Sequence, residues 1–154
     1  YKMRNEKTID VLNSLITINN DRIEGYKTAS EETEENDLKS LFARCISTSE
    51  KCKRELVEEV NKLGGEVTEG TMVSGKFFRV WMDVKAALTG KNRKAILNSC
   101  KFGEEQAKQA YKTVFVDDLE YLNPEYQDMI KEQKKLLKAD RKHIKALVAE
   151  FADS

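Results

Sequence analysis

Apolar residues recur along this chain at spacings of three and four, the pattern of amphipathic helices. The first stripe reads Ile9, Leu12, Ile16, Ile23 and Tyr26, with Asn19 set in its middle, and predicts a helix from about Asn5 to Glu34. The acidic run Glu31, Glu32, Glu34 and Glu35 ends it, and Asn36 has the side chain of an N-cap for the next helix. That second helix, Asp37 to Leu63, carries Leu38, Leu41, Phe42, Cys45, Thr48 or Ser49, Cys52, Leu56 and Val60, and Gly64-Gly65 stops it.

A polar stretch follows. A short amphipathic helix, Lys76 to Leu88, is then predicted from Phe77, Trp81, Val84 and Leu88. The third long helix runs from about Asn92 to Leu119 on Ile96, Cys100, Ala107, Tyr111 and Val114, with Glu104 on the same stripe. Asn123-Pro124 reads as N-cap and first residue of a fourth helix. Its inner stripe is Tyr126, Ile130, Gln133, Leu137, Asp140, Ile144, Leu147 and Phe151. No segment reads as a strand.

The three connections are short, long and short. Short loops make antiparallel neighbours, so helices one and two form one hairpin and helices three and four another. The long link can cross the bundle. The predicted fold class is therefore all-α: a ferritin-like four-helix bundle with one long crossover carrying a short helix between helices 2 and 3. One domain is expected over residues 3–154, with Tyr1 and Lys2 ahead of Met3 as a tag remnant.

Composition sharpens this picture. The 27 basic and 27 acidic residues cancel, which argues against a dedicated nucleic-acid binder. No apolar run reaches the roughly 18 residues of a membrane span. Three cysteines without a CxxC pair fit a reducing, cytoplasmic setting. Cys45 and Cys52 are two helical turns apart, about 10.5 Å, too far for a mutual disulfide.

Chemistry would sit at the bundle centre. Di-iron carboxylate bundles use a glutamate from each of two helices and Glu-x-x-His from each of the other two, because residues three apart share a face. This chain has one histidine, His143, so that full set cannot form. A reduced metal site of Glu24, Glu104, Asp140 and His143 is the candidate, with iron or another divalent metal as its ligand. The alternative is a hydrogen-bonded polar ring of Asn19, Thr48 or Ser49, Glu104 and Gln133 that fixes helix register and takes no cofactor. A nucleophilic enzyme has no support, since a catalytic Cys or Ser needs an adjacent base and only His143 is available.

Several stretches together resemble a bacterial family of ferritin-like four-helix-bundle proteins known mainly as a domain of unknown function. They are Val11 to Ile16 with Asp21 and Glu24-Gly25-Tyr26, Leu38 to Phe42, Leu63 to Glu66, Trp81 to Gly90, and Gly103-Glu104 with Ala110-Tyr111. The resemblance implies the ferritin-like fold and no particular activity. It also implies a last-helix histidine at the position of Arg141, a departure that weakens a metal role for that helix unless His143 substitutes.

The function expected is a non-catalytic binding or assembly protein with a degenerate di-metal centre. The rival is a metal-binding bundle with weak oxidase or iron-handling activity. A homodimer is expected, joining the acidic run at 31–37 to the basic face of Lys131, Lys134, Lys135, Lys138, Lys142 and Lys145. A protein partner at Phe77–Leu88 is the other surface expectation; neither nucleic acid nor membrane is expected.

Overall fold

The computed structural model describes residues 2–69 and 93–151, except for the side chains of residues 2, 3 and 32. The predicted short helix and partner surface at Phe77–Leu88 lie outside the described residues. Within them the chain is helical: α1 (Lys2–Glu32), α2 (Asn36–Lys62), α3 (Arg93–Asp117), a 3-10 turn (Leu119–Tyr121) and α4 (Pro124–Ala149). No strand occurs among the described residues, so the chain is an all-α four-helix bundle.

The helix ends follow from local chemistry. Gly64 takes a left-handed φ of 75° after α2, and the Gly64 and Gly65 amides donate to Asn61 O and Val60 O. This double closure is the Schellman motif, and a side chain at Gly64 would resist it. Gly65 is held by space instead, since a Cβ there would sit 2.8 Å from Ile9. Asn123 caps α4 by accepting from the Tyr126 amide at 2.8 Å, with Pro124 first in the helix. Asn36 is not a cap: α2 already includes it, and Glu35 takes the cap position without a side-chain hydrogen bond. The Glu35 amide donates to the Thr33 hydroxyl, and Arg93 bonds both oxygens of Asp37 at 3.0 and 2.6 Å.

Contacts fix the topology. Arg4 and Thr8 of α1 donate to Glu120 O and Tyr121 O, each at 2.6 Å, while Arg22 meets Glu104 further along, so α1 and α3 are antiparallel. Arg44 faces Asp140 and Glu55 faces Gln133, which makes α2 and α4 antiparallel. The principal contacts pair α1 with α2 and α3, and α4 with α2 and α3. Helices α2 and α3 are therefore diagonal and point the same way. Arg93 at the start of α3 lies beside the start of α2, while α2 ends at Lys62, about 40 Å away along a 27-residue helix. The residues after α2 run back along α1, where Asn13 donates to Glu66 O at 2.8 Å and accepts from the Thr68 amide at 3.0 Å.

The core holds Leu12, Ile16, Leu38, Phe42, Leu56, Leu97, Ile130 and Ile144, all fully buried. Each contributes roughly 1.5–3 kcal/mol of burial free energy. Helix α1 differs from the other three. Ile18, Asp21 and Ile23 are buried along with Leu12, Ile16 and Tyr26, so most of its circumference is covered. Among the described residues no helix is long and apolar enough to cross a membrane.

Candidate functional site

Every helix places polar groups at the mid-height of this core, in two tiers. The upper tier centres on Arg22, which has no exposed surface. It follows Asn19 by three residues and precedes Tyr26 by four, so all three point inward from α1. The Arg22 guanidinium donates to Glu104 Oε1 through Nε (3.2 Å) and Nη2 (2.8 Å), and to Asp140 Oδ2 through Nη2 (3.3 Å). Nη1 donates to Ser49 Oγ and approaches Cys45 O at 3.5 Å. The Tyr26 hydroxyl also donates to Glu104 Oε1. Arg44, more than half exposed, closes the tier from outside with Nε 3.6 Å from Asp140 Oδ1.

The lower tier is a relay of neutral groups. Asn19 Nδ2 donates to the Tyr111 hydroxyl at 2.9 Å, and that hydroxyl donates to Gln133 Oε1 at 2.8 Å. Gln133 Nε2 then donates to Glu55 Oε1 (3.1 Å) and Cys52 O (3.3 Å).

Burial tends to lower the pKa of Arg22, but the Glu104 charge and then Tyr26 and Cys45 outweigh it, so the guanidinium stays charged. Burial pushes the Tyr26 and Tyr111 hydroxyls well above the usual phenol range. Both therefore remain donors at any physiological pH. Two cations, Arg22 and Arg44, face two carboxylates, Glu104 and Asp140, so the tier carries no surplus negative charge to attract a divalent ion. Among the described residues, Glu104 Oε2 and Asn19 Oδ1 are buried without a hydrogen-bond partner.

The candidate metal residues are distributed as follows. Glu104 and Asp140 converge, but on the Arg22 guanidinium. Glu24 is exposed, because it lies two residues, about 200°, around α1 from Arg22. His143 is exposed too: Asp140 sits at one edge of the buried stripe of α4, and three residues further carries the chain past that edge. The donor set at the bundle centre does not fit a metal ion, since both carboxylates there are spent on a guanidinium. Among the described residues no group of three or more His, Cys, Asp or Glu side chains could hold one. Of the ring residues, Asn19 and Gln133 belong to the lower tier. Thr48 is half-buried and its hydroxyl donates to Arg44 O, while Ser49 is the inward member of that pair.

Arg22 and Tyr111 are the centres of the two tiers that hydrophobic periodicity did not single out as polar partners. The signal for Arg22 was its position, one turn from Asn19 on the same face.

Comparison with family models gives a match. The model of a family described as a domain of unknown function, DUF2383, matches residues 7–117, from α1 through α3. That span includes Arg22, Tyr26, Ser49 and Glu104 and stops before Asp140. No curated protein matches the chain.

Proposed function

The chain belongs to this family of unknown function, and we propose that it is a non-catalytic binding and assembly protein: a ferritin-like bundle whose di-metal centre is replaced by an internal ion-pair cluster. The fold part of the reading is supported by the diagonal, same-direction relation of α2 and α3. The observation that carries the functional part is the fully buried Arg22 guanidinium bonded to Glu104 at 2.8 Å and Asp140 at 3.3 Å.

A guanidinium supplies the positive charge that paired buried carboxylates need, in a fork that suits them. It cannot exchange electrons or bind oxygen, and it does not lose its proton near neutral pH. A bundle centre built on it holds four helices in register and does no redox chemistry. Working surfaces then lie outside. Three buried free cysteines suit the cytoplasm, where thiols stay reduced.

The experiment is anaerobic incubation with iron(II), desalting, and metal analysis by mass spectrometry. The scaffold reading expects no retained iron. Stoichiometric iron, lost in Glu104→Ala, would instead support a metal-holding bundle. That second reading draws on the unpartnered Glu104 Oε2 and Asn19 Oδ1 and requires Arg22 to leave the centre.

A further inference from the structure

A groove of about 940 Å³ runs between α3 and α4. Lys108 and Lys112 line one wall, and Lys131, Lys134, Lys138 and Arg141 line the other, where Asp128 and the Glu132–Lys135 ion pair also sit, so cations outnumber acids. None of these six cations makes an ion pair among the described residues, in a chain whose charges balance overall. Arg141 stands apart from the lysines. It is nine-tenths buried, lines the groove, helps Lys145 hold the nearby Glu105 carboxyl below its usual range, and makes no hydrogen bond or ion pair within 4 Å among the described residues. Its stem is buried while its guanidinium nitrogens open on the groove, where an incoming anion can reach them. The groove floor is apolar, formed by the buried Tyr111 and Leu137.

We propose that this groove docks an acidic amphipathic helix of a protein partner, with a carboxylate on Arg141 and acidic residues along both lysine rows. The inference rests on reading the chain as a binding protein, and it names the surface and the chemistry of what binds.

The spacing supports a helix. Lys131, Lys134, Lys138 and Arg141 follow one another by three, four and three residues, one face of α4 over about 15 Å. A second helix laid alongside, with Asp or Glu at that spacing and an apolar stripe between, meets each cation and covers Tyr111 and Leu137. Nucleic acid fits less well. Tyr111, the one aromatic ring lining the groove among the described residues, is buried with its hydroxyl engaged and offers no open platform for stacking a base. A membrane surface is broad and would meet only the rims of a concave groove, leaving its Tyr111 and Leu137 floor uncovered. A second copy of this chain fits less well still, because no stretch of it carries acids at all four positions of that spacing.

The test titrates the full chain with a synthetic helical peptide carrying glutamates at that spacing around a leucine stripe. Comparison ligands are a scrambled peptide of the same composition, a single-stranded oligonucleotide, and phosphatidylglycerol vesicles. The designed peptide should bind best, and salt should weaken it. Lys131→Glu with Lys138→Glu, both exposed positions that leave the fold alone, should weaken it about tenfold or more. Arg141→Gln should weaken it comparably, and Arg141→Lys less. Equal binding of the scrambled peptide, indifference to the charge reversals, or groove-dependent preference for the oligonucleotide or vesicles overturns the proposal. So does salt-sensitive self-association abolished by the same reversals, which would make a second copy the occupant. Retained iron would sink the scaffold reading alone, and an inert groove in an iron-free protein would sink this inference alone.

Discussion

Arg22 and Glu104, on α1 and α3 and 82 positions apart in the chain, form a buried two-point contact in which Nε and Nη2 converge on one carboxylate oxygen. Asp140 on α4 and Ser49 on α2 complete the surround, so one guanidinium touches all four helices' shared centre. Removing either side of such a contact leaves the other charge buried without its partner, which is where its large energetic effect comes from.

Arg22→Met should therefore destabilise the bundle by about 3–5 kcal/mol, read as a lower urea midpoint with an unchanged slope. Arg22→Lys should recover part of this, since it restores charge without the fork. The triple replacement Arg22→Met, Glu104→Leu, Asp140→Leu should regain most or all of the lost stability, because apolar groups of similar volume remove the desolvation cost along with the attraction. A triple variant no more stable than Arg22→Met would show that the tier contributes in some other way.

Tyr111→Phe deletes the hydroxyl that joins Asn19 to Gln133 and leaves two buried amide groups short of a partner. A loss of about 1–3 kcal/mol is expected by thermal or urea unfolding. A change within experimental error would mean that the relay is replaceable by water.

Asp37 titrates below the ordinary carboxylate range, first because Arg93 donates to it. A lowered folded pKa means the contribution is present above the unfolded value of about 3.9 and is lost as pH falls through the folded value. Asp37 is more than half exposed and Arg93 is about a quarter exposed, so solvent screens the pair and Asp37→Asn should cost no more than about 1 kcal/mol at neutral pH. Stability curves of wild type and variant should converge near the acid end of the scan; a constant gap down to that end would remove the ion pair as the cause.

Burial pushes the Cys45 and Cys100 thiols well up, and pushes Cys52 up to about 11. A thiol must ionise and be reached before it reacts. All three should resist Ellman's reagent in the native protein and react together on unfolding. Rapid native labelling of any one of them would contradict its burial.

The all-helical architecture and the helix ends at Gly64 and Asn123 were legible because caps and three-four spacing are local signals. Glu104, Asp140, Asn19 and Gln133 stood out as polar residues on apolar stripes. Arg22 did not, for a physical reason. Helix α1 is covered around most of its circumference, so its apolar residues form no narrow stripe and a charged side chain there is read as solvent-facing. Glu24 and His143 did not join Glu104 and Asp140, because Glu24 lies on the far side of α1 from Arg22 and His143 lies past Asp140, itself at the edge of the buried stripe of α4. The basic face of α4 was legible alone, but the groove was not, since its second wall comes from Lys108 and Lys112 of α3.

The most direct test of the central claim is a double-mutant cycle on Arg22 and Glu104, with Arg22→Met, Glu104→Gln and the double variant unfolded in urea. An ion pair at the bundle centre predicts a coupling energy of about 1.5 kcal/mol or more. Additive costs, within about 0.5 kcal/mol, would mean that Arg22 does not depend on Glu104 and that the charge cluster is not what holds the four helices together.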